Sequence, residues 1–203
     1  MKNESNPLAL DTNKWLKLVE EVENPNNARK WKKYLEYHNF YVILPQLVLK
    51  EIVWTLTNKN YSSNIYLKKE YYILRLMKVG CVFYFRYVKS SKNFRYYLIE
   101  AEKIIKKDGL DKILESLGLY EIEDGIKKYY LHKHDLAILM SLKELGYSYY
   151  FLTHDDKLKK ALQVKEIRDA LVHEGICFIL IYETQSAKNR KIIRIKVLPE
   201  ITL

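Results

Sequence analysis

Short apolar runs alternate along this chain with longer stretches whose apolar residues recur every three or four positions. That alternation predicts an α/β fold: a central, mostly parallel twisted sheet between two layers of helices. Strands are expected at 8–11, at 41–43 or alternatively 82–88, at 149–153, at 176–183 and at 191–198. The last two flank the polar stretch 184–189, so a C-terminal hairpin is expected over about 176–198.

Helical patterning opens at Trp15-Leu16-Lys17-Leu18-Val19 and returns over 45–57, with Pro45 in the first turn. Further helices are expected around 62–78 and over 94–107, the latter ended by Asp108-Gly109, with two more helical pieces before His134. The most apolar helix is expected over 135–145, closed by Gly146. A continuous helix should then follow Asp155 and run to Glu174, where Gly175 stops it. The segment 60–130 therefore reads as an enlarged helical insert rather than a linker. No repeat or low-complexity tract interrupts the chain, so 1–203 is read as one domain.

Composition is consistent with that picture. The chain has 203 residues, 48% hydrophobic and 30% charged, which is ordinary for a globular fold with a core. The longest apolar run, 176–182, is too short to span a bilayer, and residues 1–7 carry no signal-peptide core. A cytoplasmic protein with no membrane partner is expected. Cys81 and Cys177 lie in apolar runs and are expected to pack in the core, with a disulfide only if their backbones meet; no spacing suggests structural zinc.

Charge narrows the function more than composition does. A net charge of +10 and a pI near 9.3 point to a polyanionic partner. The cations cluster with aromatic residues at 29–34, 86–95, 127–130, 157–160 and 188–194. Lysine and arginine neutralise phosphates while tyrosine and tryptophan stack on unpaired bases. Lys30, Lys32 and Lys33, and Lys188, Arg190 and Lys191, are the candidate nucleic-acid contacts. Taken singly, each cluster is equally a solvated face.

Against this basic background stand four carboxylates. Asp11 follows the apolar run Pro7-Leu8-Ala9-Leu10, and Asp155 ends Tyr149-Tyr150-Phe151-Leu152-Thr153-His154. Both sit at strand tips, where open α/β sheets bind ligands. Glu51 falls on the apolar side of its helix, between Leu47 and Val48 and away from the polar edge of Gln46, Lys50 and Thr57. An inward carboxylate is costly unless paired, hydrogen-bonded or metal-bound. Asp135 opens the most apolar helix. Each aspartate could instead be a helix N-cap, and Glu51 an ion-pair partner. Their combination points to a divalent-metal nuclease in which carboxylates hold one or two Mg2+ or Mn2+ ions.

Asp-Thr-Asn after a first short strand, Leu-Pro-x-Leu-Val-Leu-Lys-Glu-Ile on a helix, Asp-Leu-Ala-Ile-Leu opening a later helix, and Phe-Leu-Thr-His-Asp-Asp-Lys-Leu at a strand end resemble the PIN domain, in that family's order. The resemblance covers residues 7 to about 183, and Thr153 to Asp155 is its most specific element. It implies a three-layer α/β/α nuclease that cleaves RNA to 5′-phosphate and 3′-hydroxyl ends. Asp11 and Asp135 are the first candidates for metal ligands, then Asp155, with Glu51 a ligand or a positioning base. Thr12, Asn13 and Thr153 are candidate orienting groups, and Asp156 is the alternative to Asp155. His132, His134 and His154 are read as surface or nucleic-acid contacts. DNA remains an alternative substrate and a homodimer is left open. The long insert and the hairpin favour a stand-alone nuclease over a toxin with an antitoxin partner, and the presence of all four acids, with Glu51 inward, argues against a non-catalytic nucleic-acid binder.

Overall fold

The first apolar run folds as strand β1, Asn6–Leu10, and the chain returns to pair with it in parallel as β2, Phe40–Pro45. The computed structural model describes residues 5–58, 76, 78–143, 149–153, 155–183 and 192–197. The expected helix at 62–78 falls almost wholly outside the described residues, as do the Gly146 cap, His154, the 184–189 turn, and Lys188, Arg190 and Lys191. The chain divides into two compact units, Met1–Lys89 and Ser90–Leu203.

In the first unit β2 also pairs in parallel with β3, Phe85–Val88, so both alternatives for the second strand are strands. Leu8, Ala9, Leu10, Val42, Ile43 and Leu44 are buried, as unbroken apolar runs in a parallel sheet should be. Among the described residues the unit also holds the helices α1, Thr12–Glu21; α2, Pro25–Tyr37; and α3, Gln46–Asn58. Pro45 is the last residue of β2 rather than part of the helix's first turn. A proline there removes a ladder donor only at the strand's end. Trp15 packs edge-on against Phe85 at 5.6 Å, and Leu18, Leu47, Val48 and Ile52 fill the space around the strands.

In the second unit β6, Tyr150–Leu152, pairs in parallel with β7, Phe178–Glu183, which pairs antiparallel with β8, Ile192–Val197. The expected C-terminal hairpin is thus present in its two strands. Helices α4, Phe94–Lys107, and α6, Lys133–Ser141, pack on each other, with α5, Leu110–Ser116, between them in sequence. Parallel strands with helical connections make the chain α/β, as its alternating pattern predicts.

Four local expectations are corrected. The second helical piece before His134 is instead an antiparallel pair, β4 (Tyr120–Glu123) and β5 (Ile126–Tyr129). Asp124 and Gly125 turn it, with φ of 53° and 77°, the double positive φ of a type I′ turn. The helix after Asp155 is broken at Val164 into α7, Asp156–Gln163, and α8, Lys165–His173. Arg168 Nη1 donates to the Leu162 and Gln163 carbonyls at 3.0 and 2.6 Å, satisfying acceptors that the break releases. The most apolar helix starts at Lys133, so Asp135 lies in its first turn instead of opening it. Cys81 is exposed at the end of the helical residues 78–82, whose inward position is taken by Val79; Cys177 is buried, and both thiols are free.

Candidate metal-binding carboxylates

Asp11 follows directly on β1 and caps α1, with extended φ/ψ of −67° and 168° and Oδ1 accepting from the Lys14 N–H at 2.6 Å. One residue on, Thr12 Oγ1 donates to Glu51 Oε2. Glu51 is half-buried on α3 beside Leu47, Val48 and Ile52, each fully buried. The inward turn of Glu51 therefore has a local physical basis. A hydroxyl from the start of α1 donates to a half-buried carboxylate and offsets part of the water it has lost. Asn13 is exposed, and its side chain makes no hydrogen bond among the described residues.

In the second unit Asp135 Oδ2 accepts from the His132 N–H at 3.1 Å, and His132 Nδ1 accepts from the His134 N–H at 3.4 Å. Together they form a capping box at the start of α6. The His132 and His134 rings lie 5.0 Å apart, and His134 meets Phe94 edge-on. Asp155 caps α7: Oδ1 accepts from the Lys157 and Leu158 N–H groups at 2.7 and 3.2 Å. Thr153, fully buried at the tip of β6, accepts the Asp155 N–H on Oγ1 at 2.9 Å and so fixes the backbone that carries this carboxylate. Asp156 has an 80% exposed side chain and pairs with Lys159.

All three aspartates thus cap helices. Capping and ligation are compatible, because a carboxylate has two oxygens and about four lone-pair sites. At Asp155 both amides converge on Oδ1, and Oδ2 has no hydrogen-bond partner among the described residues. An all-oxygen donor set of this kind suits hard cations such as Mg2+ or Mn2+ and disfavours soft ones.

A group that sequence spacing did not reveal gathers three donors within 4.8 Å of one another: Asp108, after α4, and His173 and Glu174, at the end of α8. Lys107 Nζ donates to Glu174 Oε1 at 2.6 Å, and His173 Nδ1 lies 3.6 Å from the same oxygen. The Lys107 ammonium holds the Glu174 carboxyl below its ordinary range. Asp108 Oδ2 is buried without a hydrogen-bond partner among the described residues. A carboxylate already matched by an ammonium makes this cluster an ion-paired junction between two helix ends. The only sequence hint was that Asp108 and Glu174 each precede a helix-ending glycine.

The cationic clusters differ in what they face. Lys127, Lys128, Lys157 and Lys159 pair with Glu115, Glu123, Glu121 and Asp156. Lys30, Lys32 and Lys33 are exposed on α2 and have no carboxylate within ion-pair distance among the described residues.

No protein-family model matches the chain, and no curated protein matches it. Among solved structures it is similar to a chain in the crystal structure of VapBC2 from Rickettsia felis bound to a DNA fragment from their promoter. The two share 15% identity, with 76% of this chain and 92% of that chain covered and a TM-score of 0.39. A likeness of that size assigns no activity.

Proposed function

We propose that the protein is a divalent-metal-dependent nuclease that hydrolyses phosphodiester bonds, with RNA as substrate. The observation that carries the reading is the hydrogen bond from Thr12 to the inward Glu51, next to Asp11 at the tip of β1. A carboxylate held in one orientation beside a second carboxylate is what a metal-binding role asks of it. Asp11 and Glu51 are assigned as oxygen donors to Mg2+ or Mn2+. For Asp135 and Asp155, in the second unit, a metal-binding role is proposed in its own right, and Thr153 fixes the backbone at Asp155. A divalent ion bound there would supply a water of lowered pKa for attack on phosphorus.

The chain's own groups have separate tasks. Thr12 holds the Glu51 carboxylate in one orientation, which a positioning base or ligand requires. The helix-start amides at Lys14, Lys157 and Leu158 hold Asp11 and Asp155 by one oxygen each. Lys188, Arg190 and Lys191, outside the described residues, are proposed to contact the substrate's phosphates.

Purified protein mixed with labelled single-stranded RNA, structured RNA and DNA, with Mn2+ or Mg2+ and with or without chelator, tests the reading. Metal-dependent cleavage of RNA that chelator abolishes and Glu51→Gln suppresses is expected. Metal-independent cleavage, or none with either ion, overturns it.

A further inference from the structure

Helix α2 is anchored on one side only. Ala28, Trp31 and Leu35, three and four residues apart, are buried. Trp31 Nε1 donates to Glu21 Oε2 at 2.7 Å, and Lys14 Nζ lies 4.8 Å from the Trp31 ring centroid. At about 100° per residue, Arg29, Lys33, Tyr37 and Lys30 fall in one arc of about 100°, centred opposite the buried stripe. Lys32 lies off this arc toward the flank, and Glu36 lies just outside it.

The arc is unusual for a solvated face. Solvated helices place opposite charges three or four residues apart, whereas here Arg29 and Lys33 are like charges at i,i+4. Neither they nor Lys30 have a carboxylate within ion-pair distance among the described residues. Their net effect is repulsion that an external anion would relieve. Tyr37 closes the arc with 85% of its surface exposed; its ring lies 4.9 Å from that of His38 at an interplanar angle of 89°.

Cations without acids and an exposed aromatic ring at the end of the same arc match a strand that offers phosphates and unpaired bases. We propose that the outer face of α2 binds single-stranded nucleic acid, with Arg29, Lys30 and Lys33 on successive phosphates and Tyr37 stacked on a base. The assignment rests on the nucleic-acid reading above but not on cleavage. A duplex offers the phosphates without an open base, and an acidic polypeptide offers charge without bases.

Fluorescence polarisation with a labelled oligouridylate in chelator reads binding alone, so a failure of the nuclease reading leaves this result intact. The variant Arg29→Gln/Lys30→Gln/Lys33→Gln should lose roughly 10- to 100-fold in affinity at about 0.1 M salt. Its logarithmic salt slope should be shallower by about two. Tyr37→Ala should weaken the single strand by about fivefold or more, with Tyr37→Phe at wild-type affinity, because stacking needs the ring and not the hydroxyl. Circular dichroism confirms the fold of each variant, and Lys103→Gln/Lys106→Gln, on lysines already paired, should bind as wild type. Wild-type affinity and slope in the triple variant overturn the proposal. So does duplex or polyglutamate binding as tight as the single strand, or an unaffected Tyr37→Ala.

Discussion

Helices α2 and α4 carry similar numbers of cations and treat them in opposite ways. On α4, Lys103 pairs with Glu100 and Lys106 with Glu102, while Lys107 at its end reaches Glu174. On α2 the cations repel one another along the outer face, a destabilisation of a few tenths of a kcal/mol per like pair. Exposed pairs such as those of α4 contribute little stability. Their consequence is instead that the charge is compensated locally. A net charge of +10 therefore states how many cations the chain has and not which of them an anion can reach.

The carboxylates invite the same comparison, between acids that serve the fold and acids held for chemistry, and the largest expected effect tests it at Asp11. Asn caps a helix as well as Asp does, so Asp11→Asn should leave stability within a few tenths of a kcal/mol while cutting metal-dependent cleavage by about 10^3-fold or more. Asp11→Ala should add a stability loss of about 1 kcal/mol from the missing cap at the Lys14 N–H. Equal activity in the Asn variant and wild type would return Asp11 to capping alone. Kinetics and thermal melting on the same samples separate the two roles.

Next in size is a change confined to the second unit. Gly175 has φ +71° and ends α8; its Cβ would lie 2.8 Å from Lys143 Cε. The lysine end can move, so the left-handed backbone dominates, and Gly175→Ala should cost about 1 to 2 kcal/mol. Affinity at the α2 face should not change, a sharper statement of the independence of the two surfaces. Urea unfolding and polarisation measure both.

Tyr149, fully buried and stacked on Phe178, gives a pH signature. Burial pushes its phenol pKa well above 10. Its raised folded pKa means stability is complete below about pH 10, then falls as pH rises and the unfolded phenol ionises, by up to about 1.4 kcal/mol per pH unit. Tyr149→Phe should remove that part of the alkaline slope in pH-dependent melting and change little at neutral pH.

The smallest effect lies at the Lys107–Glu174 pair. The ammonium lowers the Glu174 carboxyl, so its stabilisation is present above the ordinary carboxylate range and is lost as pH falls through the folded value. Lys107 is 63% exposed, so solvent screens the pair and its effect on stability is small. Lys107→Met should flatten the acid limb of stability slightly, as read by melting below pH 5, and an unchanged limb would show that the pair is silent.

What the sequence disclosed follows from where structure depends on local signals. Strands β1, β2, β6 and β7 were legible as apolar runs because a buried parallel strand needs nothing else. Gly175 was legible because a left-handed helix end favours glycine. The hairpin at 120–129 had a local signal too, Asp124-Gly125, but its strands, Tyr-Glu-Ile-Glu and Ile-Lys-Lys-Tyr, are short and largely exposed, so no apolar run announced them. The break at Val164 has no glycine or proline to mark it. Arg168, five and six residues on, reaches the freed carbonyls, a side-chain contact that apolar spacing does not encode. At the candidate site, the inward Glu51 could be anticipated from helical periodicity, whereas its Thr12 partner required the packing of α1 on α3. The capping of Asp135 by His132 was hidden because histidine is not a preferred N-cap.

The most direct measurement is calorimetric titration of Mn2+ into the wild type, Asp11→Asn and Glu51→Gln, each first shown to be folded by circular dichroism. Because both substitutions keep side-chain volume, and the first keeps the cap, the account predicts saturable Mn2+ binding in the wild type and its loss, or at least a tenfold weakening, in each variant. Equal Mn2+ binding in all three, or none in the wild type, would contradict a metal-binding role for these carboxylates.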